Sequence, residues 1–218
     1  MAEIRTEEET VQAIKDWWKK NGSSLLIGIA AALAIVFGWQ AWQNHQMQQR
    51  TEAASQFADL INAYSDESDE NRAETVAYVA ETLREEYGDS AFAIYGMLML
   101  ARQQIMDQGD AEAAIDSLSW AQEKAGESGA LALVIRNRLA RAHLAAEQYD
   151  EALSTIEGVD DSGSFGAIFT ELKGDILLAQ GDREAARDAY LAAREQNQQG
   201  RSGILELKLS DLGVGEGA

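Results

Sequence analysis

Cysteine and proline are both absent from this 218-residue chain, and histidine occurs only twice, at His45 and His143. Without cysteine there is no disulfide, no thiol nucleophile, no iron–sulfur cluster, no cysteine zinc site and no lipidated cysteine. Two widely separated histidines offer neither a metal pair nor a catalytic dyad. Average proline usage of ~5% would give about eleven prolines, so the residue that most often breaks helices is missing throughout. Positive charge is also scarce. Eighteen Lys+Arg stand against 37 Asp+Glu, a formal net charge of −19, which weighs against nucleic acid as a partner. There is no P-loop, no G-x-G-x-x-G, no H-E-x-x-H and no G-x-S-x-G. Gly163-Ser164-Phe165-Gly166 reads as a loop rather than a nucleophile elbow. Carboxylate pairs abound, but so many acids guarantee that, and no spacing singles one out. The sequence therefore predicts no enzyme, no cofactor and no metal site.

What is present is helix-forming. Hydrophobic residues make up 46% of the chain, enough for a sizeable core, and the abundance of Ala, Glu and Gln without proline predicts an all-α protein. No Asp, Glu, Lys or Arg lies between Lys20 and Arg50. Inside that gap, residues 25–42 read LLIGIAAALAIVFGWQAW, about 27 Å of helix, which matches the thickness of a bilayer core. Trp17 and Trp18 precede the run, and Trp39 and Trp42 end it, in the positions of an aromatic belt. Lys19 and Lys20 complete the N-terminal interface. The run is too long for a signal-peptide core, and its only small-x-small pattern lies within it, so an uncleaved signal anchor is expected. A buried core helix is the competing reading. Lys15, Lys19 and Lys20 crowd the N-terminal flank, which places the N-terminus in the cytoplasm and the rest of the chain in the periplasm of a bacterial inner-membrane protein. The expected layout is a cytoplasmic amphipathic segment (1–22), a transmembrane anchor (23–43) and a periplasmic helical domain (44–218). Val11, Ile14, Trp17 and Trp18 share a face in the first segment, and Thr6 to Glu9 has capping-box spacing.

Beyond Arg50 the apolar spacing is helical throughout. Ala53, Phe57, Leu60, Ile61 and Tyr64 face inward in one helix, and Val76, Val79, Ala80, Leu83 and Tyr87 in a second over residues 71–87. Between them, the acidic residues 65–70 lack the spacing of a calcium loop and read as solvated. Then comes an internal repeat. Gln108-Gly109-Asp110-Ala111-Glu112-Ala113-Ala114, Glu147-Gln148-Tyr149-Asp150-Glu151-Ala152 and Gln180-Gly181-Asp182-Arg183-Glu184-Ala185-Ala186 each read as turn, acidic start, helix. Ala152 and Ala186 are one tetratricopeptide period apart. Ala114 and Ala152 are four residues further apart than that, a difference that fits the Gly126-Glu127-Ser128-Gly129 loop. The third unit carries Gly174, Gly181, Asp182, Ala186, Tyr190 and Ala193 at the repeat's small, turn and aromatic positions. The second keeps Leu139, Ala140, Tyr149, Ala152 and Ile156; the first keeps Ala114, Leu118 and Ala121. The expected fold is a transmembrane helix followed by a tetratricopeptide-like solenoid, with repeats over 95–125, 133–161 and 167–199. Ile204, Leu205, Leu207, Leu209 and Leu212 are expected to form a capping helix over about 203–212, with a frayed tail from Gly213. An unspecialised helical bundle is the alternative.

First helices of such repeats line a concave groove. Consensus positions place Met99, Gln103 and Met106 there from the first unit, Asn137, Arg141 and Leu144 from the second, and Glu171, Asp175 and Leu178 from the third. Methionine makes such a surface adaptable. With Arg141 the lone basic member, no carboxylate clamp is expected. Arg141 then serves either a partner or its own acidic neighbours.

The order of parts resembles a known family. A Glu-rich start runs into Ile14-Lys15-Asp16-Trp17-Trp18-Lys19-Lys20-Asn21-Gly22, a single anchor ends Gly38-Trp39-Gln40, and the repeats contain Glu171-Leu172-Lys173-Gly174-Asp175. This is similar, along essentially the whole chain, to the YfgM-type ancillary subunits of the SecYEG translocon. The resemblance implies a single-span protein of the inner membrane whose repeats lie in the periplasm. It implies partners in SecYEG and in a membrane-anchored periplasmic chaperone of the prolyl-isomerase type, PpiD, to which emerging polypeptides are passed. It also implies a cytoplasmic contact with a stress-response regulator. A scaffold for another envelope assembly, such as a division or secretion machine, fits the same anchor and repeats.

Overall fold

The computed structural model describes residues 7–66, 68–159, 165–197 and 203–213. The chain divides into two compact units, Met1–Glu52 and Ala53–Ala218. Thr6, residues 163–164 and the tail beyond Gly213 fall outside the described residues, and the capping-box, loop and tail expectations fall with them.

The first unit is the N-terminal part of α1 (Glu7–Ser65). It carries the one segment among the described residues long and apolar enough to cross a membrane, and the apolar stretch is almost wholly exposed. Ile27, Ile35, Val36 and Phe37 all point outward. A core helix would bury such residues, so the core-helix reading is overturned. The Trp39 and Trp42 rings lie 5.1 Å apart between centroids, tilted by 41°.

The second unit begins with the end of α1 and continues through α2 (Arg72–Glu86), α3 (Ala91–Gln103), a π-helical turn (Gln104–Gln108), α4 (Ala111–Ala125), α5 (Ala130–Ala145), α6 (Tyr149–Ile156), α7 (Gly166–Ala179), α8 (Arg183–Gln196) and α9 (Gly203–Asp211). Among the described residues there is no strand. From α2 onward each helix packs mainly on its chain neighbours, and α5 also reaches α7, the nearest-neighbour pattern of a solenoid. The pairs α3–α4, α5–α6 and α7–α8 occupy the three repeats.

Local chemistry explains the pairs. Gly109 and Gly181 adopt φ of 69° and 92°, a left-handed turn that costs glycine nothing. The next residue caps the following helix: Asp110 Oδ1 accepts from Ala113 N and Asp182 Oδ1 from Ala185 N, each at 3.0 Å. In the second repeat Glu147 takes the glycine's place at φ 60°, and Gln148 follows with no side-chain cap. Its side chain instead meets His143 Nδ1 at 2.7 Å and donates to Glu112 at 2.7 Å.

Small residues stand where helices cross. Ala114, Ala140, Ala152, Ala186 and Ala193 are fully buried. A Cβ on Gly174 would lie 2.4 Å from Tyr190 Cε1, so α7 and α8 meet as they do only because Gly174 has no side chain. The core runs in three patches. One joins the end of α1 with α2 to α5, around Leu60, Leu83, Met97 and Leu118. The Phe57 and Phe92 rings meet there at 5.5 Å between centroids, tilted by 38°. Another joins α5, α6 and α7 around Phe169 and Leu172. The last joins α7, α8 and α9 around Tyr190 and Leu209.

Three apolar expectations are corrected. Ile61 faces outward, because Leu60 and Phe57 already fill the contact with α2 and α3. In α9 only Leu205 and Leu209 are buried, with Leu212 half-buried; Ile204 and Leu207 are each 65% exposed, on the opposite side of a two-turn helix. In the acidic loop Asp66 accepts from the Ser68 hydroxyl at 2.6 Å and its amide at 3.1 Å. The Ser68 hydroxyl bond, then the amide, holds this carboxyl below its usual range.

Candidate functional site

The expected groove is assembled by α3, α5 and α7, and its three parts have different fates. In the first unit the register moves by one residue. A π turn holds one residue more than an α turn, and Gln104–Gln108 forms such a turn. The backbone records the insertion. Asp110 N bonds to Gln104 O, six residues back, whereas Gln148 and Asp182 bond five residues back, to His143 O and Leu177 O. The buried small residue facing α4 is therefore Ala101, and the groove positions become Leu98, Arg102 and Ile105, of which only Arg102 is exposed.

Gln103 is thus turned inside, 1% exposed, with both amide atoms buried and unpartnered. Met99 is half-buried against the first core patch. Met106 remains at the surface, 71% exposed. Leu98, Ala101, Arg102, Ile105 and Met106 line an opening of about 280 Å³ with Leu118 of α4 and Arg138 and Arg141 of α5. Three arginines border it, rather than Arg141 alone. Arg102 became visible as a lining residue only with the π turn. Arg138 falls one position beyond the consensus position at Asn137, so the repeat pattern does not mark it.

In the second unit Arg141 serves two neighbours. Its Nε donates to Asn137 Oδ1 at 3.1 Å, and its Nη1 lies 4.0 Å from Asp175 Oδ2. The guanidinium is half exposed, so that ion pair is weak. Asn137 Nδ2 is buried without a partner. Leu144 packs partly into the core between α5 and α7.

In the third unit the chain engages its own groove residues. Lys208 of α9 reaches Glu171 Oε1 at 2.7 Å and Asp175 Oδ1 at 2.6 Å, and sits 5.5 Å from the centre of the Tyr190 ring. Tyr190 Oη donates to the same Asp175 oxygen at 2.8 Å. Burial, then that bond, drives the Tyr190 phenol far above its usual range. Leu178 lies under α9. Glu171, Asp175 and Leu178 are therefore gathered together but held internally. What stays open is the arginine-bordered opening between α3 and α5. Among the described residues no group of three or more His, Asp and Glu side chains could hold a metal ion.

Residues 15–214 match the family model described as a tetratricopeptide repeat-like domain. The chain is 30% identical over 212 residues to the ancillary SecYEG translocon subunit of Haemophilus influenzae, covering 97% of this chain and all of that one. It is 28% identical over 209 residues to the subunit of the same name from Escherichia coli K12, covering 95% and 97%. The Neisseria gonorrhoeae subunit of that name is 28% identical over 216 residues, covering 97% and 100%. An end-to-end likeness of this kind includes the apolar helix as well as the repeats, and the chain belongs to the tetratricopeptide repeat-like family of ancillary SecYEG translocon subunits.

Proposed function

We propose that the protein is a membrane-anchored adaptor at the SecYEG translocon, which binds polypeptide through its repeats and catalyses nothing. The observation that carries this reading is the full-length likeness to subunits named for that translocon, spanning anchor and repeats together. Residues 1–22 face the cytoplasm, 23–43 cross the inner membrane and 44–218 stand in the periplasm. Recognition is divided. The anchor and the Trp17-Trp18-Lys19-Lys20 segment meet the translocon inside the bilayer, where both partners live. The groove between α3 and α5 meets a periplasmic chaperone of the PpiD type and the chains passed to it. The cytoplasmic segment is left for a stress-response regulator. Met106, exposed and unbranched, supplies the adaptable surface that varied clients require.

Photo-crosslinking in intact membranes tests this reading. A photoreactive residue at Trp18 should give adducts with the translocon, and one at Met106 adducts with the chaperone. Replacing residues 1–45 with an unrelated anchor should remove the first set and spare the second. Adducts with division or secretion components from both positions would sink the reading in favour of an envelope scaffold.

A further inference from the structure

We infer that the opening between α3 and α5 is built for an acidic segment of a partner polypeptide: an apolar side chain flanked by Asp or Glu. This rests on the reading of the groove as a polypeptide-binding surface and adds the chemistry of its ligand.

The charge pattern carries the inference. Beyond Trp42 the chain holds 14 Lys+Arg against 32 Asp+Glu, so an exposed cation in the second unit is rarely far from a carboxylate. Every other described arginine of that unit holds a carboxylate or a carbonyl. Arg102 and Arg138 hold neither among the described residues, and both border the same opening. Arg141, the third, is committed only weakly, at 4.0 Å from Asp175. Three like charges around one opening repel one another, a cost that a bound anion removes. Guanidinium forks match carboxylates in geometry as well as sign.

The floor supplies the rest. Leu98, Ala101 and Leu118 are buried beneath the opening and Ile105 is half-buried, while Met106 stands at its rim. At about 280 Å³ the space falls at or below the roughly 300–1,000 Å³ of small-molecule clefts, so it takes a side chain or two. The rest of the domain repels acidic segments from a distance, and beyond a Debye length of about 10 Å at 0.1 M salt that field fades. Selection therefore happens at contact, where the arginines act.

The test uses the full-length protein in detergent micelles and a fluorescent peptide, acetylated and amidated, with the core Glu-Leu-Phe-Asp between Gly-Ser flanks. A second peptide carries Gln and Asn in place of the acids. A third keeps the Gln but ends at the Phe, with a free C-terminal carboxylate where the Asn would follow. Anisotropy should show the acidic peptide binding about tenfold or more tighter than its amide twin. In R102Q/R138Q, both exposed positions, that preference should fall below about twofold with helix content unchanged. Arg138→Glu should shift preference towards a Lys-substituted peptide. Equal binding of the acidic and amide peptides to the wild type overturns the inference, as does a preference that survives in R102Q/R138Q. Tight binding of the third peptide alone also overturns it, making a chain terminus the ligand. The adaptor reading is judged separately: if Met106 crosslinks to the chaperone persist while the acid preference is absent, the adaptor stands and only the ligand chemistry falls.

Discussion

Gln103 and Gly174 show what single positions in this chain reveal and conceal. Gly174 was legible because the repeat demands a small residue there, and the 2.4 Å clash of any Cβ with Tyr190 supplies the reason. Gln103 was not. It follows Arg102, both are polar, and nothing in their order says which one faces water. The π turn decides, by adding a residue between Ala101 and Gly109, and a period counted from the Gly-Asp turn passes over it. The result is a buried amide with neither atom partnered, which costs roughly 1–3 kcal/mol of desolvation. Gln103→Met keeps length and shape and removes the polar group. It should raise stability by about 1 kcal/mol, or about 2–4 °C in Tm for a unit of this size. A lowered midpoint in thermal unfolding of the full-length protein would mean that the amide is hydrogen-bonded after all.

At the scale of elements, the helix pairs and their turns were legible, because Gly109-Asp110 and Gly181-Asp182 combine a left-handed glycine with a side-chain cap in adjacent residues. The tie between α9 and α7 was not. Lys208 reaches Glu171 across 37 residues of sequence, a distance over which no local period speaks. Leu205 and Leu209 give α9 only two buried anchors, so a short helix depends heavily on that lysine. Its side chain is 25% exposed and its two carboxylates 22% and 16%, sheltered enough for the contacts to exceed an ordinary surface pair. Lys208→Met keeps the apolar stem and discards the charge, leaving two carboxylates side by side. Stability should fall by about 1–2 kcal/mol, and amide exchange in α9 should accelerate by about tenfold or more. Unchanged protection of α9 would assign its docking to the leucines alone. The same tie explains why Glu171 and Asp175 are poor candidates for contact with another protein.

For the whole molecule, the proposed orientation rests on charge asymmetry. Lys15, Lys19 and Lys20 lie just before the apolar run, and Arg50 is the first Lys or Arg after it. Lysines and arginines near a span fix which end stays in the cytoplasm, whereas acidic residues contribute little. The 32 acids beyond the apolar run therefore neither oppose nor enforce the proposed arrangement, and the argument for it rests on the three lysines. Because the chain has no cysteine, single substitutions report accessibility without background. Ser128→Cys, in the exposed loop between α4 and α5, should react with a membrane-impermeant maleimide in intact spheroplasts. Glu8→Cys should react only after the membrane is opened. Moving the charge should move the protein: Lys15, Lys19 and Lys20 changed to Gln, with Gln43, Gln46 and Gln48 changed to Lys, should give a mixed or inverted population in which Glu8→Cys reacts from outside. Labelling of Ser128→Cys only after permeabilisation would put the repeats in the cytoplasm. The arginine-bordered groove would then face cytosolic proteins, and the periplasmic chaperone would be out of its reach.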